Sequence, residues 1–354
     1  MNTEPSLSVR VRKQRDKSLH QKILVETPPF PRNMMVELTN ACNHACIFCT
    51  SAHMTRKIGR IDGALMERLL VEGREMGVEE VGFYTTGDPF VDNRLEQFVA
   101  RAKELGYKYM YISTNGGLAS PKRAKAAIDA GLTSIKFSIN AGSRETYKLI
   151  HGKDEWDKIL ENLSFISEYR KTLGRPLSLF VTSIVTKQSS DEQEALRDAV
   201  GDLVDEVSFF PVHDQNGPMA QAMGMLAPTL EQENAAVLMG AGTCMMVFNR
   251  LHVTFEGHVT LCCADYQNYL TVADLDDTSL QDAWLSETFR DIRRRHLEDK
   301  LEGTLCGSCL HGSNAPIKPL QGNVATSIEL DAFNRDAADR VAARLASHDT
   351  NEND

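Results

Sequence analysis

Eight cysteines in this 354-residue chain fall into two groups, and the first is the tighter one. Cys42, Cys46 and Cys49 form a C-x3-C-x2-C array directly after the apolar run Met34–Leu38. Three thiolates packed this closely cannot all pair as disulfides, and they are one short of a closed tetrahedral zinc site. Thiolates also suit iron–sulfur clusters, and a four-iron cube held at three corners leaves one iron open to a non-protein ligand. A structural metal knuckle is the plainer alternative.

The second group is Cys244, Cys262, Cys263, Cys306 and Cys309, with no cysteine between Cys49 and Cys244. In a reducing compartment such clustering points to metal ligation or redox chemistry. The formal net charge of -10 argues against nonspecific binding to nucleic acid or anionic membrane. No apolar run reaches transmembrane length, and the charged first thirty residues lack the apolar middle of a signal peptide. A cytoplasmic location is the expectation.

Positioning these thiols falls to a run of alternating elements. Residues 1–32 are polar and then Pro-rich, a flexible lead-in. From 33 to 213, strand-like runs (Met34–Leu38, Glu80–Thr85, Tyr109–Ser113, Ser134–Ile139, Leu177–Thr186, Val207–Val212) alternate with helical patterns (Met66–Met76, Leu95–Leu105, Ser120–Ala130, Trp156–Tyr169, Asp191–Leu203). Six right-handed βα units imply a parallel sheet, and a partial (β/α)6 barrel fits this α/β pattern better than a closed barrel of eight. Ligands gather at the carboxyl ends of such strands, where the three-cysteine loop would lie. Residues 214–243 read as a connector. In 244–317 a hairpin is expected across Leu251–Phe255 and His258–Leu261, with one helix over Leu280–Leu297. The last segment, 318–354, reads as a surface helix (Leu330–Leu345) and a polar tail.

With that order of elements, the Cys42/Cys46/Cys49 array resembles the radical S-adenosylmethionine (radical SAM) enzymes. The resemblance implies a [4Fe–4S] cluster on the three cysteines, with its open iron chelated by SAM. It also implies that reductive cleavage of SAM yields a 5′-deoxyadenosyl radical, which abstracts a substrate hydrogen. Gly87-Asp88-Pro89 follows the second strand and resembles the family's Gly-Glu-Pro motif, which receives the SAM ammonium. Ser113 and Asn115 after the third strand, and Ser138 at the end of the fourth, would hydrogen-bond the ribose and carboxylate. Phe48 matches the position beside adenine, and Thr182 and Ser183 are further candidates.

Cys244, Gly257, Cys262 and then Cys306-Gly307-Ser308-Cys309 form a C-x12-G-x4-C … C-x2-C order. It resembles the SPASM extensions of this family in their truncated twitch form, a small C-terminal domain with one auxiliary [4Fe–4S] cluster. Cys244, Cys262, Cys306 and Cys309 would be its ligands, and a four-cysteine zinc site is the alternative. Cys263 is then spare, and reads either as a catalytic hydrogen-atom donor or as a small buried side chain.

The barrel begins near residue 33, which leaves no room for a peptide-leader domain, so a small-molecule substrate is expected. Relatives that oxidise or epimerise sugars and aminocyclitols suggest abstraction of a carbinol hydrogen. The outcome would be a ketone, or an epimer if Cys263 returns hydrogen. A flavodoxin- or ferredoxin-type protein would supply electrons. His213, Asp214 and Gln215, or Asp265 and Tyr266, are candidates for a base near the substrate. A peptide-modifying enzyme and a non-catalytic metal scaffold are the competing readings.

Overall fold

The computed structural model describes residues 21–49, 51, 54–211, 243–311, 315–325, 339–340 and 342–343. His213, Asp214, Gln215, the 214–243 connector (all but its last residue) and most of the expected Leu330–Leu345 helix lie outside these residues.

Short runs with β-branched, aromatic or methionine side chains at alternate positions become strands that bury one apolar face under the helices. The chain runs β1 (Asn33–Val36), α1 (Gly63–Glu75), β2 (Glu80–Gly82), α2 (Leu95–Glu104), β3 (Tyr109–Thr114), α3 (Pro121–Ala130) and β4 (Ser134–Ser138). It continues with α4 (Arg144–His151), α5 (Trp156–Arg170), β5 (Ser178–Val185), α6 (Gln193–Val200) and β6 (Glu206–Pro211). The six strands pair in sequence, all in parallel. This is the expected set of βα units, although β1 and β2 stop short of the predicted ends.

One parity of each strand packs outward against the helices: Met34, Val36, Val81, Met110, Ile112, Ile135, Phe137, Leu179 and Val181 are buried there. The opposite parity lines the concave side of the sheet and is far more polar. It includes Asn33, Glu80, Tyr84, Tyr111, Ser113, Lys136, Ser138 and Thr182.

The second cysteine region does not stand apart from this sheet. A short helix α7 (Met246–Asn249) leads into β7 (Arg250–Val253), which pairs in parallel with the free side of β1, Asn33 opposite Arg250 and Val36 opposite Val253. β8 (His258–Thr260) and β9 (Thr271–Asp274) follow as antiparallel strands, giving one nine-stranded sheet in the order β6-β5-β4-β3-β2-β1-β7-β8-β9. Its edges, β6 and β9, do not pair with each other among the described residues, so the barrel stays open. The expected hairpin is present, turning at Gly257 with a φ of +94°. β9 is an addition to it.

The single helix expected over Leu280–Leu297 is two: α8 (Leu280–Trp284) and α9 (Glu287–Leu297). Ser286 interrupts the run by capping α9, its hydroxyl accepting from Phe289 N at 3.3 Å. α10 (Leu305–His311) carries Cys306 and Cys309. No described helix is long and apolar enough to cross a membrane.

Candidate active site

The three-cysteine loop leaves the carboxyl end of β1 and is clamped from both sides. On one side, Asn40 donates to Lys57 O at 2.9 Å and accepts from Gly59 N at 2.9 Å, while the Thr39 hydroxyl donates to Gly59 O at 2.6 Å. On the other side, Ala45 N and Ile47 N donate to the carbonyls of His151 and Ile150 at the end of α4. Each thiol then has a polar neighbour. Asn115 Nδ2 reaches Cys42 Sγ at 3.6 Å, His151 Nδ1 lies 3.5 Å from Cys46 Sγ, and Ser51 Oγ lies 2.8 Å from Cys49 Sγ. Phe48 is half-buried and packs against the core.

The Gly87-Asp88-Pro89 turn packs directly on this loop. A Cβ on Gly87 would stand 2.3 Å from Thr39 O and 2.4 Å from Ala41 O, and Asp88 N donates to Ala41 O at 3.0 Å. Glycine is therefore needed for contact between two protein loops. Asp88 is 3% exposed, and its carboxylate is already engaged: Oδ1 accepts from Phe90 N at 2.9 Å, and Oδ2 from Thr114 Oγ1 and Asn115 N at 2.8 and 2.9 Å. Its side chain ties the end of β3 to the turn, and the buried Pro89 follows it.

Asn115 is in turn aimed at the cysteine loop, donating to Asn43 Oδ1 at 2.8 Å. Ser113 and Ser138 meet across neighbouring strands with their hydroxyls 3.3 Å apart. Thr182 lies opposite Ser138 in the ladder, on the same concave face, whereas Ser183 takes the other parity. Deeper on that face, Tyr84 and Tyr111 meet edge to face at 5.9 Å, and Lys136 Nζ lies 5.4 Å from the Tyr84 ring centre. Arg250 of β7 joins them, its Nη1 3.6 Å from Met35 Sδ and its charge felt by both tyrosines.

The second thiol group collects where β8, α7 and α10 converge. Burial raises the Cys306 thiol well above the ordinary range, and the charges of Cys244 and Cys309 push the same way. Cys262 is likewise raised, by its bond to Cys263 and by burial, with Cys244 adding to it. Cys244 thus acts on both Cys262 and Cys306, and Cys309 on Cys306, and an all-thiol group of this kind suits a thiophilic metal centre. Cys263 faces a different environment: its pKa is pulled down by the bond to Cys262, then by His252 and Arg250, and its charge is felt by Tyr84. It stands between the second thiol group and the concave face.

Asp265, expected as a possible base, is spent on structure. Its oxygens accept from Thr260 Oγ1, Tyr269 N and Leu270 N at 2.7–2.8 Å, and it is 3% exposed. A carboxylate saturated by three buried donors is a turn organiser. Tyr266 is also buried.

Several contributors escaped the sequence reading. α4 was missed, although Ser143 at its N-cap and Gly152 in the left-handed conformation at its C-terminus mark both ends. It carries Tyr147 and His151 to the back of the cysteine loop. His44, 5% exposed, donates from Nε2 to Glu155 Oε2 at 2.9 Å, and burial lowers its pKa against the pull of that carboxylate. Arg56 links the loop to the second cysteine region. Its guanidinium bonds the fully buried Glu37 at 2.7 Å and also Glu256 at the β7–β8 turn.

These residues fit iron–sulfur centres on the donor chemistry itself. Seven of the eight cysteines lie in two all-thiol sets. Beside the first, the buried Asn43 Nδ2 is a donor with no acceptor in the protein, as an anionic group on the loop would require. An open parallel sheet with one thiol set on its first βα loop and a second beside β7 to β9 defines an iron–sulfur protein of the partial-barrel class. Residues 36–199 match the radical SAM superfamily, and residues 244–310 match the SPASM iron–sulfur cluster-binding domain. The chain is a member of the radical SAM superfamily with a SPASM domain, using a SAM-dependent [4Fe–4S] cluster and an auxiliary iron–sulfur cluster.

Among curated relatives, a probable GTP 3′,8-cyclase of Saccharolobus solfataricus is 35% identical over 136 residues, 37% of this chain and 42% of that protein. The chain thus spans under half the length of the curated relatives it matches. Among solved structures, SuiB of Streptococcus suis bound to its precursor peptide SuiA superposes with a TM-score of 0.62 at 16% identity, over 92% of this chain and 83% of SuiB. BtrN in complex with AdoMet and 2-DOIA gives 0.51 at 17% identity, over 82% and 96%. At such identities these structures share the fold.

Proposed function

We propose that this radical SAM enzyme takes a hydrogen from a carbinol carbon of a sugar-, cyclitol- or aminoglycoside-like small molecule. Cys42, Cys46 and Cys49 would hold the SAM-binding cluster, and Cys244, Cys262, Cys306 and Cys309 the auxiliary one. When bound, the cluster and SAM supply the 5′-deoxyadenosyl radical that performs the abstraction. The chain's own part is to bind, orient and keep dry the substrate on the concave face of the sheet.

The observation that carries this reading is the make-up of that face. Ser113, Ser138 and Tyr84 offer hydroxyl partners to a polyol, and the Tyr111 hydroxyl, which donates to Asn33 Oδ1 at 2.9 Å, can still accept; they lie between one thiol set at the strand ends and the other beside β7. Lys136 and Arg250 bring positive charge to this face and Glu80 a carboxylate, so charged as well as neutral substituents of such a molecule find partners there. Cys263 borders the same space, and its thiol would return a hydrogen atom to give an epimer, the thiyl radical left behind then taking an electron from the external protein donor and a proton from solvent. If the hydroxyl instead loses its proton and the substrate radical gives up an electron, the product would be a ketone, and Cys244, Cys262, Cys306 and Cys309 would hold the auxiliary cluster able to accept that electron.

The test is anaerobic turnover of the full chain with C–H deuterated sugars and cyclitols, neutral and acidic. Deuterium appearing in 5′-deoxyadenosine only in the presence of one of them is the expected result. Its absence across both series, with both clusters loaded, would overturn the reading.

A second reading has its own support. The Saccharolobus relative is named a probable GTP 3′,8-cyclase, and the pair Lys136 and Arg250 suits a phosphorylated substrate equally well. GTP is therefore included in the same assay. A peptide substrate, as in SuiB with SuiA, would show instead as a mass change on a co-expressed short peptide.

A further inference from the structure

We infer that His151 is a positioning residue that sets the reduction potential of the cluster on Cys42, Cys46 and Cys49, an inference that rests on that ligand assignment. His151 ends α4, is fully buried, and lies behind the cysteine loop. Two groups of Asn140 converge on its Nε2 at 3.2 Å, the backbone N–H and the side-chain amide nitrogen. The amide orientation is settled independently, because Asn140 Oδ1 accepts from Ile184 N at 2.7 Å. Two N–H donors pointing at one ring nitrogen require a lone pair there, so the imidazole proton resides on Nδ1.

Nδ1 is the atom that faces Cys46 Sγ at 3.5 Å. The ring cannot readily turn away. Tyr147 stacks on it at 4.1 Å and 16°, His44 meets it edge-on, and the bonds from Ala45 N and Ile47 N fix the helix end to the loop. The N–H is therefore held toward the ligand sulfur before and after any change in charge.

A hydrogen bond to a ligating thiolate favours the more negative state of a cluster. Reduction takes one electron from an external low-potential protein donor and moves no proton. His151 would stabilise the added negative charge on Cys46. His44, Cys46 and His151 also bring ligand atoms within 4.8 Å of one another, as a mononuclear metal site would. Such a site would need the His151 proton moved to Nε2, against both Asn140 donors.

The experiment is a potentiometric titration followed by electron paramagnetic resonance on the reconstituted full chain. The variants are His151→Phe, which keeps the stacking, and the isosteric pair His151→Asn and His151→Leu, of which only the amide donates. At the wild-type midpoint, the ratio of reduced to oxidised first cluster is expected to fall about tenfold in the Phe and Leu variants, a shift of about 59 mV for one electron. The Asn variant should recover much of this, and the auxiliary cluster should not move. Equal midpoints in all four proteins, with both clusters full, would overturn the inference. If the Phe variant takes up no iron, the order of Asn above Leu carries the test, and equality of those two overturns it. If a Cys42/Cys46/Cys49→Ala protein holds as much iron as wild type, it is the ligand assignment that falls.

Discussion

At the scale of single residues, Gly87 and Cys263 make opposite demands. Gly87 sits where two carbonyls leave no room for a methyl group, so Gly87→Ala must push the turn off the cysteine loop. A loss of about 1–3 kcal/mol in urea unfolding is expected, together with weakened SAM binding to the loaded enzyme. Cys263 is set apart from the other thiols by its neighbours His252, Arg250 and Tyr84. Cys263→Ala should therefore retain both clusters by iron and sulfide analysis. If the reaction is an epimerisation, this variant should lose solvent deuterium at the inverted carbon and release a dehydrogenated product instead. Unchanged inversion would remove Cys263 from the reaction.

At the scale of elements, the junction between the cysteine loop and the β7–β8 turn depends on Arg56. Burial alone would raise the Glu37 pKa, but the charge and hydrogen bond of Arg56 hold it below the ordinary carboxylate range. Arg56→Ala leaves a buried carboxylate without its cation, and about 3–5 kcal/mol should be lost at neutral pH. The sign with pH follows. In wild type the Glu37 contribution is complete above its unfolded pKa of about 4.3 and is lost as pH falls through the lower folded value. In the variant, burial is opposed only by the hydrogen bonds from Thr85 and Phe255, so the folded pKa rises and protonation relieves part of the loss. The difference between the two proteins should shrink as urea midpoints are followed down toward pH 4. A constant difference would show that Arg56 acts by packing alone.

The elements differ in how far the residues alone disclosed them. Amphipathic helices of ten or more residues and strands with apolar runs announced themselves by period, and so did the motif order at the strand ends. α4 did not, although α6 is also eight residues long and was expected, and the caps of α4 at Ser143 and Gly152 were its clear signal. The engaged state of Asp88 and Asp265 could not be read either. Two of the donors to Asp88 come from the end of β3, and those to Asp265 converge only once the turn between β8 and β9 has formed.

At the scale of the whole molecule, one sheet carries both thiol sets, with β1 between them. The first set leaves β1 by its own loop, and the second depends on β7 to β9 and α10. A Cys42/Cys46/Cys49→Ala triple variant should therefore keep one cluster while wild type holds two, as read by iron, sulfide and paramagnetic resonance under anaerobic conditions. Zinc in place of that remaining cluster would remove the auxiliary centre from any electron-transfer role.

The pairing of β1 with β7 also has a consequence in time. Asn33 finds Arg250 only after more than two hundred intervening residues have been made, and loop closure over such a span is slow. Until then, one side of β1, in the middle of the finished sheet, is an unpaired strand edge open to association with other chains. A nascent chain halted before residue 250 should stick to its neighbours, and release of β7 to β9 should restore it. The segment β7 to β9 thus acts late in synthesis as the cover for the first strand.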